Sequence, residues 1–326
     1  MMKIGRRKFM RLAAAAPTLS LLPRAARAQS YPSRPIRLIV QVPPGGSPDI
    51  VARLMGQWLS EKLGQPVVVD NRPGASGNIA TEFMTKASPD GYTLLLSMSS
   101  NAINASLYQH LNFNFIADTA PVASISLIPL VMDLNPGLPF KSVPEFINYV
   151  KANPGKVNLA SSGVGTPLYA AGALFKMMAG LNMLDVVYQG ESAAMPDLLG
   201  GQVQAMFGVM PASLGYIKSG QLRALAVTSK KRQELMPDVP AMDEFLPGYE
   251  ASGWYGISAP KGTPADIVQI LNTQVNAGLA DANVRKRLDD LGCNVFNGTP
   301  DDFAKFVAAE TDKWAKVVKF ANIKAN

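Results

Sequence analysis

The sequence predicts an α/β protein of two lobes, each a mainly parallel sheet flanked by helices. Three observations predict it. Short apolar runs alternate with segments of helical period, the βαβ pattern of a parallel sheet. Two glycine-rich turns each follow a strand and open a helix. Two long apolar stretches, Ala120–Leu134 and Ser252–Ala259, bracket a middle segment. Each reads either as a core strand or as a crossover between lobes. The crossover reading places one lobe at residues 29–127 plus 252–326 and the other at 128–251.

In chain order, Ile36–Val42 is an apolar strand stopped by Pro43-Pro44-Gly45-Gly46. Ile50, Val51, Leu54, Met55, Trp58 and Leu59 then recur at helical spacing up to Gly64. Val67–Val69 is a short strand, Ile79–Lys86 a helix and Tyr92–Ser97 the next strand. The middle repeats the pattern: helix Val143–Lys151, strand Val157–Ala160, helix Leu168–Ala179 and strand Asp185–Tyr188. Helix Ser192–Leu199 and strands Gln204–Phe207 and Arg223–Thr228 follow. Strand Trp254–Ala259 leads to helices Ala265–Ala280, Asn283–Leu291 and Asp301–Phe320. Ser47-Pro48, Thr166-Pro167, Thr263-Pro264 and Thr299-Pro300 each predict a hydroxyl N-cap followed by proline at the first helical position.

The net charge of +7 over 326 residues is confined to the start of the chain. Residues 1–28 carry seven Lys and Arg and no acid, which leaves 24 basic against 24 acidic residues beyond Ala28. The remainder is neutral, so no nucleic-acid partner is expected. Residues 1–28 themselves read as an export signal. A basic start precedes an apolar run from Leu12 to Leu22, and Ala26-Arg27-Ala28 fits a small-x-small cleavage site. Arg6-Arg7 followed by Phe9 resembles a twin-arginine signal. The run is too short to span a bilayer and holds Pro17. The expected mature protein is periplasmic.

Ligand chemistry is expected at the glycine-rich turns. Gly45-Gly46-Ser47 and Ser162-Gly163-Val164-Gly165-Thr166 place backbone N–H groups and a helix N-terminus where an anion is favoured. Ligands of open α/β sheets bind beyond the carboxyl ends of the strands. Asp49, in the first turn of its helix, stabilises the helix dipole and repels an anion placed too close. A third turn, Asn71 to Asn78, reads equally as an amide donor through Asn78 and as a capped loop in which Arg72 pairs locally. Asn101, Asn104 and Tyr108 follow one strand, and Tyr188 and Gln189 end another, at positions that suit a cleft wall.

Enzyme motifs are weak. No phosphate-loop or dinucleotide motif occurs, and no cofactor is implied. One Cys and one His exclude a Cys/His zinc cluster. Gly190-Glu191-Ser192 approaches a nucleophile elbow, but the one His, His110, lies far upstream. Ser258 and Lys261 match S-x-x-K by spacing alone, and Cys293 reads as a small buried residue. An exported serine hydrolase using Ser192 is the runner-up reading.

Several segments, in this order and spacing, carry a family resemblance: Tyr31-Pro32-Ser33-Arg34-Pro35-Ile36, Pro43 to Asp49, Asn71 to Asn78, Pro89-Asp90-Gly91-Tyr92, Ala102 to Tyr108, Asp197 to Val203, and Trp254-Tyr255-Gly256 before Ala259 to Pro264. The mature chain resembles a Bug-type substrate-binding protein of the tripartite tricarboxylate transporter family. The resemblance implies a type II periplasmic-binding-protein fold that closes on a small carboxylate. It implies a membrane transporter as transient partner, or else a signalling system served as co-receptor, and a monomer. By this resemblance Gly45, Gly46 and Ser47 face the ligand from one lobe, and Ser162, Gly163, Gly165 and Thr166 from the other. Gln189 stands where the family often has a basic residue, and Asn101 where it often has His. Both departures remove positive charge and point toward a mono- or dicarboxylate.

Overall fold

The computed structural model describes residues 31–320, so the expected export signal lies outside the described residues. Strands β1 (Ile36–Val40), β2 (Val67–Asn71), β3 (Thr93–Met98) and β4 (Thr119–Ile128) open the first sheet. Strands β5 (Leu130–Leu134), β6 (Asn158–Ser161), β7 (Leu184–Val187), β8 (Ala205–Val209) and β9 (Arg223–Val227) make the second. The chain then returns to the first sheet with β10 (Gly253–Pro260) and β11 (Asn294–Val295). The orders are β11-β4-β10-β3-β1-β2 and β7-β6-β8-β5-β9.

The long apolar stretch Ala120–Leu134 divides between the sheets at Pro129, which lies between β4 and β5. Proline has no N–H to donate, so a ladder cannot run through it unbroken. The sheets are mixed rather than mainly parallel. β1 pairs in parallel with β2 and β3, whereas β10 runs antiparallel to both β3 and β4. In the second sheet β6 pairs in parallel with β7 and β8, and β5 runs antiparallel to β8 and β9. The strands that carry the chain between sheets are the ones that reverse the direction.

In the first lobe the helices are α1 (Ser47–Leu63), α2 (Asn78–Thr85), α3 (Ser99–Leu107) and α4 (Phe115–Asp118). The second lobe holds α5 (Val143–Ala152), α6 (Pro167–Ala179), α7 (Glu191–Leu199) and α8 (Met210–Lys218). Last come α9 (Ala265–Ala280), α10 (Ala282–Asp290) and α11 (Pro300–Phe320). Neither α3 nor α8 was expected from periodicity; each is nine residues long, under three turns. Two of the four expected hydroxyl caps form. Thr166 accepts from the Tyr169 N–H at 3.2 Å, and Thr299 from the Asp302 N–H at 3.1 Å. Ser47 does not cap, because α1 begins one residue earlier, with extended Gly46 in the cap position. Thr263 instead donates to the Pro260 carbonyl, and Pro264 precedes α9.

Alternation along β1 sends Leu38 and Val40 into one core and Ile39 into the other. The first core packs α1 and α9 on the sheet through Met55, Leu59, Val275 and Leu279. The second runs continuously from Ile39 and Leu95 to Phe146, Phe175 and Phe207 of the second lobe, by way of Trp254, Phe303 and Trp314. Helix α11 packs on α3, β4 and α6, so it touches both lobes. Gly256 makes its approach possible: a β-carbon there would sit 2.2 Å from Phe303 Cζ. No helix among the described residues is long and apolar enough to cross a membrane.

Candidate functional site

Three strand-to-helix turns of the first lobe meet one turn of the second around a cavity of about 250 Å³. Gln41, Val42 and Pro43 line it from the end of β1, Pro73, Gly74, Ser76 and Gly77 from the end of β2, and Met98 and Ser100 from the end of β3. Across from them stand Gly165, Thr166 and Pro167 at the start of α6. Three larger hollows, about 470, 610 and 280 Å³, are lined around Arg232–Leu235, around Tyr108–Ile116 and around Trp58 with Arg287, and contain no residue of the two glycine-rich turns.

The first glycine-rich turn is organised by Asp49. Its carboxylate accepts from the Gly45 N–H at 2.9 Å, from Asn71 Nδ2 at 2.9 Å and from Arg53 at 3.0 Å. Burial alone would raise its pKa, but Arg53, the Gly45 N–H and Asn71 together hold it down at about 2. The Gly45 amide is therefore engaged, contrary to its expected role as a free donor. The Ser47 hydroxyl lies 3.5 Å from Tyr255 Oη and so turns toward the core. Among the described residues, the Gly46 and Ser47 amides have no partner in the chain. Pro43, rather than Gly45 to Ser47, carries this turn to the cavity wall.

The third turn is strained. Ala75 and Ser76 adopt φ of 46° and 53°, a left-handed conformation that costs about 1–2 kcal/mol per non-glycine residue. Asn104 Nδ2 holds it by donating to the Ser76 carbonyl at 2.9 Å and to Asn78 Oδ1 at 3.0 Å. Tyr108 Oη donates to Ser76 Oγ at 3.2 Å. Those two acceptors fix the Asn104 amide, whose Oδ1 is buried without a partner. Asn101 presents nothing to the cavity. Its Oδ1 accepts from the Met98 N–H and Gln41 Nε2, both at 2.8 Å, and its Nδ2 donates to Thr81 at 2.8 Å. Asn78, Asn101 and Asn104 are thus a buried frame behind the turn. Arg72 pairs locally, with Asp70 at 3.0 Å and over the Phe83 ring.

In the second lobe Thr166 Oγ1 donates to the Gly163 carbonyl at 2.7 Å. It therefore accepts from Ser162 Oγ, 2.8 Å away, as well as from the Tyr169 N–H. Ser162 and Gly163 so belong to the brace that shapes the turn, while Gly165 and Thr166 reach the cavity. Gly165, at φ 87°, abuts the first lobe: a β-carbon would come within 3.1 Å of Leu107 and 3.2 Å of Asn104 Oδ1. Tyr188 is elsewhere. Its hydroxyl donates to Asp197 at 2.7 Å and its ring packs on the satellite core around Leu198.

Gln41, Ser76, Met98 and Ser100 line the cavity without having been singled out from the sequence. Met98 and Ser100 belong to a strand-to-helix turn without glycine, so the glycine signal passes over it. Gln41 immediately precedes the Pro-Pro-Gly-Gly turn, and Ser76 lies inside the third turn; position beyond a strand end was their available signal.

The enzyme-like constellations do not assemble. Ser192 is exposed in the first turn of α7, and among the described residues no side chain bonds to its hydroxyl. Ser258 is buried and hydrogen-bonded to Ser97 at 2.7 Å. Burial pushes the Cys293 thiol up to about 11, against nucleophilic use. A buried acidic pair surrounds Gly208, where a β-carbon would meet Asp133 and Glu191 oxygens at 2.8 Å each. Asp133 accepts from Ser213. Burial raises Asp133 well above the carboxylate range and Glu191 to about 7, although Glu191 accepts the Val209 N–H at 3.0 Å.

Residues 51–323 match the family model described as the tripartite tricarboxylate transporter family receptor. The protein BugT of Bordetella pertussis (strain Tohama I) is 41% identical over 295 residues, covering 90% of each chain. Among solved structures, R. palustris Rpa4515 with adipate is 35% identical with a TM-score of 0.77, covering 90% of this chain and 99% of that one. MatC from Rhodopseudomonas palustris with bound malate is 31% identical with a TM-score of 0.75, over 88% and 100% of the two chains.

Proposed function

The chain belongs to the tripartite tricarboxylate transporter receptor family, and on that premise we propose how its cleft does a receptor's work. It is a periplasmic solute-binding protein that captures a small carboxylate between its lobes for a tricarboxylate-type transporter. The observation that carries this reading is the meeting of first- and second-lobe helix starts around one cavity. N–H groups at such starts favour an anion without a charged side chain. Ser76 and Ser100 supply polar groups at the wall. Gly165 lets the second lobe close to contact distance. The relatives bound to adipate and malate fit a carboxylate as the cargo here.

The finer assignments are our reading. The lobes divide near residues 128 and 252, residues 1–28 direct export with cleavage near Ala28, and the receptor works as a non-catalytic monomer. Closure is stabilised by contacts that only the closed state completes. Calorimetric titration of the exported protein with a panel of carboxylates tests the function. One or more acids should bind while the corresponding methyl esters do not. Equal binding of acid and ester, or turnover of the ester abolished by Ser192→Ala, overturns the reading.

A further inference from the structure

Resting on the receptor reading above, we infer that a second set of contacts between the lobes, Gln233 with Asn294 and Pro211 with Gly292, sets how tightly the cleft holds its ligand. Neither pair lines the cavity. Their place in the fold is the reason. In the first sheet the crossover strands β4 and β10 stand between β11, where Asn294 lies, and the strands β3, β1 and β2 whose ends line the cavity. In the second sheet the crossover strand β5 stands between β6, which leads to Gly165, and β9, which leads to Gln233. Both crossovers are tied at one buried residue, Thr228. Its N–H donates to the Leu130 carbonyl at 2.9 Å, and its Oγ1 accepts from the Leu130 N–H at 2.8 Å. Its carbonyl accepts from the N–H of Ala251, which leads into β10, at 3.1 Å. A rotation about this pivot that widens the cavity brings the far side together.

The far side has little travel left. Asn294 Nδ2 donates to Gln233 Oε1 at 2.6 Å, and Gln233 Nε2 is pinned in turn on Ser229 Oγ at 2.7 Å. Pro211, in the first turn of α8, abuts Gly292: a β-carbon there would lie 2.6 Å from Pro211 Cδ. Beside these contacts, the hollow between Arg232–Leu235 and Arg285 is the space that narrows as the cavity opens. The two contacts are therefore a stop against opening. A receptor whose closed, competent form is only a fraction of the ensemble has its affinity reduced by that fraction. Bulk added at the stop raises the closed fraction, and removal of the stop lowers it. Gln233, Asn294 and Gly292 are thus positioning residues, acting on the ligand through the angle between the lobes.

Calorimetry and stopped-flow kinetics of the exported protein with malate, adipate, citrate and benzoate test the inference, read with whichever acid binds most tightly. Gly292→Asn adds bulk against Pro211 at φ of 68°, a left-handed conformation that asparagine tolerates. It should bind about threefold or more tightly, through slower dissociation. Gln233→Ala should bind about threefold or more weakly, through faster dissociation, with far-UV circular dichroism unchanged. Asn294→Ala should match Gln233→Ala, so the stop is read from that side alone if Gly292→Asn does not fold. Damage to the structure would weaken binding in every variant and could not tighten it in one. Unaltered affinity in the folded variants, or weaker binding in Gly292→Asn, overturns the inference and leaves the receptor reading standing. Binding of no acid by the wild type overturns both.

Discussion

Gly165 rests directly on Asn104 across the lobe boundary: a β-carbon on Gly165 would lie 3.2 Å from Asn104 Oδ1. Oδ1 has no hydrogen-bond partner, and the Asn104 Nδ2 grips the strained turn at Ser76. The contact therefore sets the turn before α6 directly against the frame of the strained turn at Ser76.

Gly165→Val should hold the lobes apart. The new side chain meets Leu107 and Asn104, and φ of 87° adds about 1–2 kcal/mol of backbone strain. We expect at least a tenfold loss of ligand affinity by calorimetry with a retained circular dichroism spectrum. Wild-type affinity in this variant would sink the closure role of Gly165.

Asp49→Asn should destabilise the first lobe by about 1–3 kcal/mol, because Arg53 and the Gly45 N–H lose a charged acceptor. The wild-type carboxyl is depressed from an ordinary 3.8 to about 2. Its contribution is present above pH 3.8 and is lost as pH falls through about 2. Urea denaturation at pH 7 and pH 2.5 should show the variant's deficit shrinking at the lower pH.

Glu191 runs the other way. Its pKa rises from 4.5 to about 7 on folding. The folded state then holds more protons between those values, so stability is full below pH 4.5 and declines as pH rises through about 7. The expected change is on the order of 1–3 kcal/mol, read as a higher Tm at pH 5 than at pH 8. Glu191→Gln should flatten that profile, leaving the part owed to Asp133.

Gly256→Val should weaken the seat of α11. A β-carbon would overlap Phe303, 2.2 Å away, in a tightly packed core. Overpacking of this kind costs about 1–3 kcal/mol. In a chain this long that lowers Tm by about 2–4 °C per kcal/mol, which differential scanning calorimetry resolves. An unchanged Tm would show that Phe303 moves aside freely.

What the sequence made legible was placement. The alternation of strands and helices and the turn at Ser162–Thr166 follow from local rules, whereas the apolar stretch ending at Leu134 reads equally as one core strand or as a crossover. Partnership was hidden. Asn101 stands at the expected strand end, but Gln41 and Thr81, 60 and 20 residues away, engage its amide. Tyr188 likewise ends a strand, yet Asp197 holds its hydroxyl. Whether a polar group is free or tied depends on residues that meet only when the fold closes. The sheets' mixed direction was hidden for the same reason, since β10 finds β3 and β4 only across the whole chain.

On the proposed receptor reading, the main-chain grip on the anion carries an evolutionary consequence. Amides at helix starts are present whatever side chains surround them, so mutation erodes anion capture chiefly where a glycine such as Gly165 is replaced. The wall at Met98 and Ser100 is free of that constraint. On the same reading, a lineage built on this scaffold exchanges cargo by substitutions in the wall while retaining the main-chain grip, and gene duplication then yields paralogues with divergent diets from a common architecture.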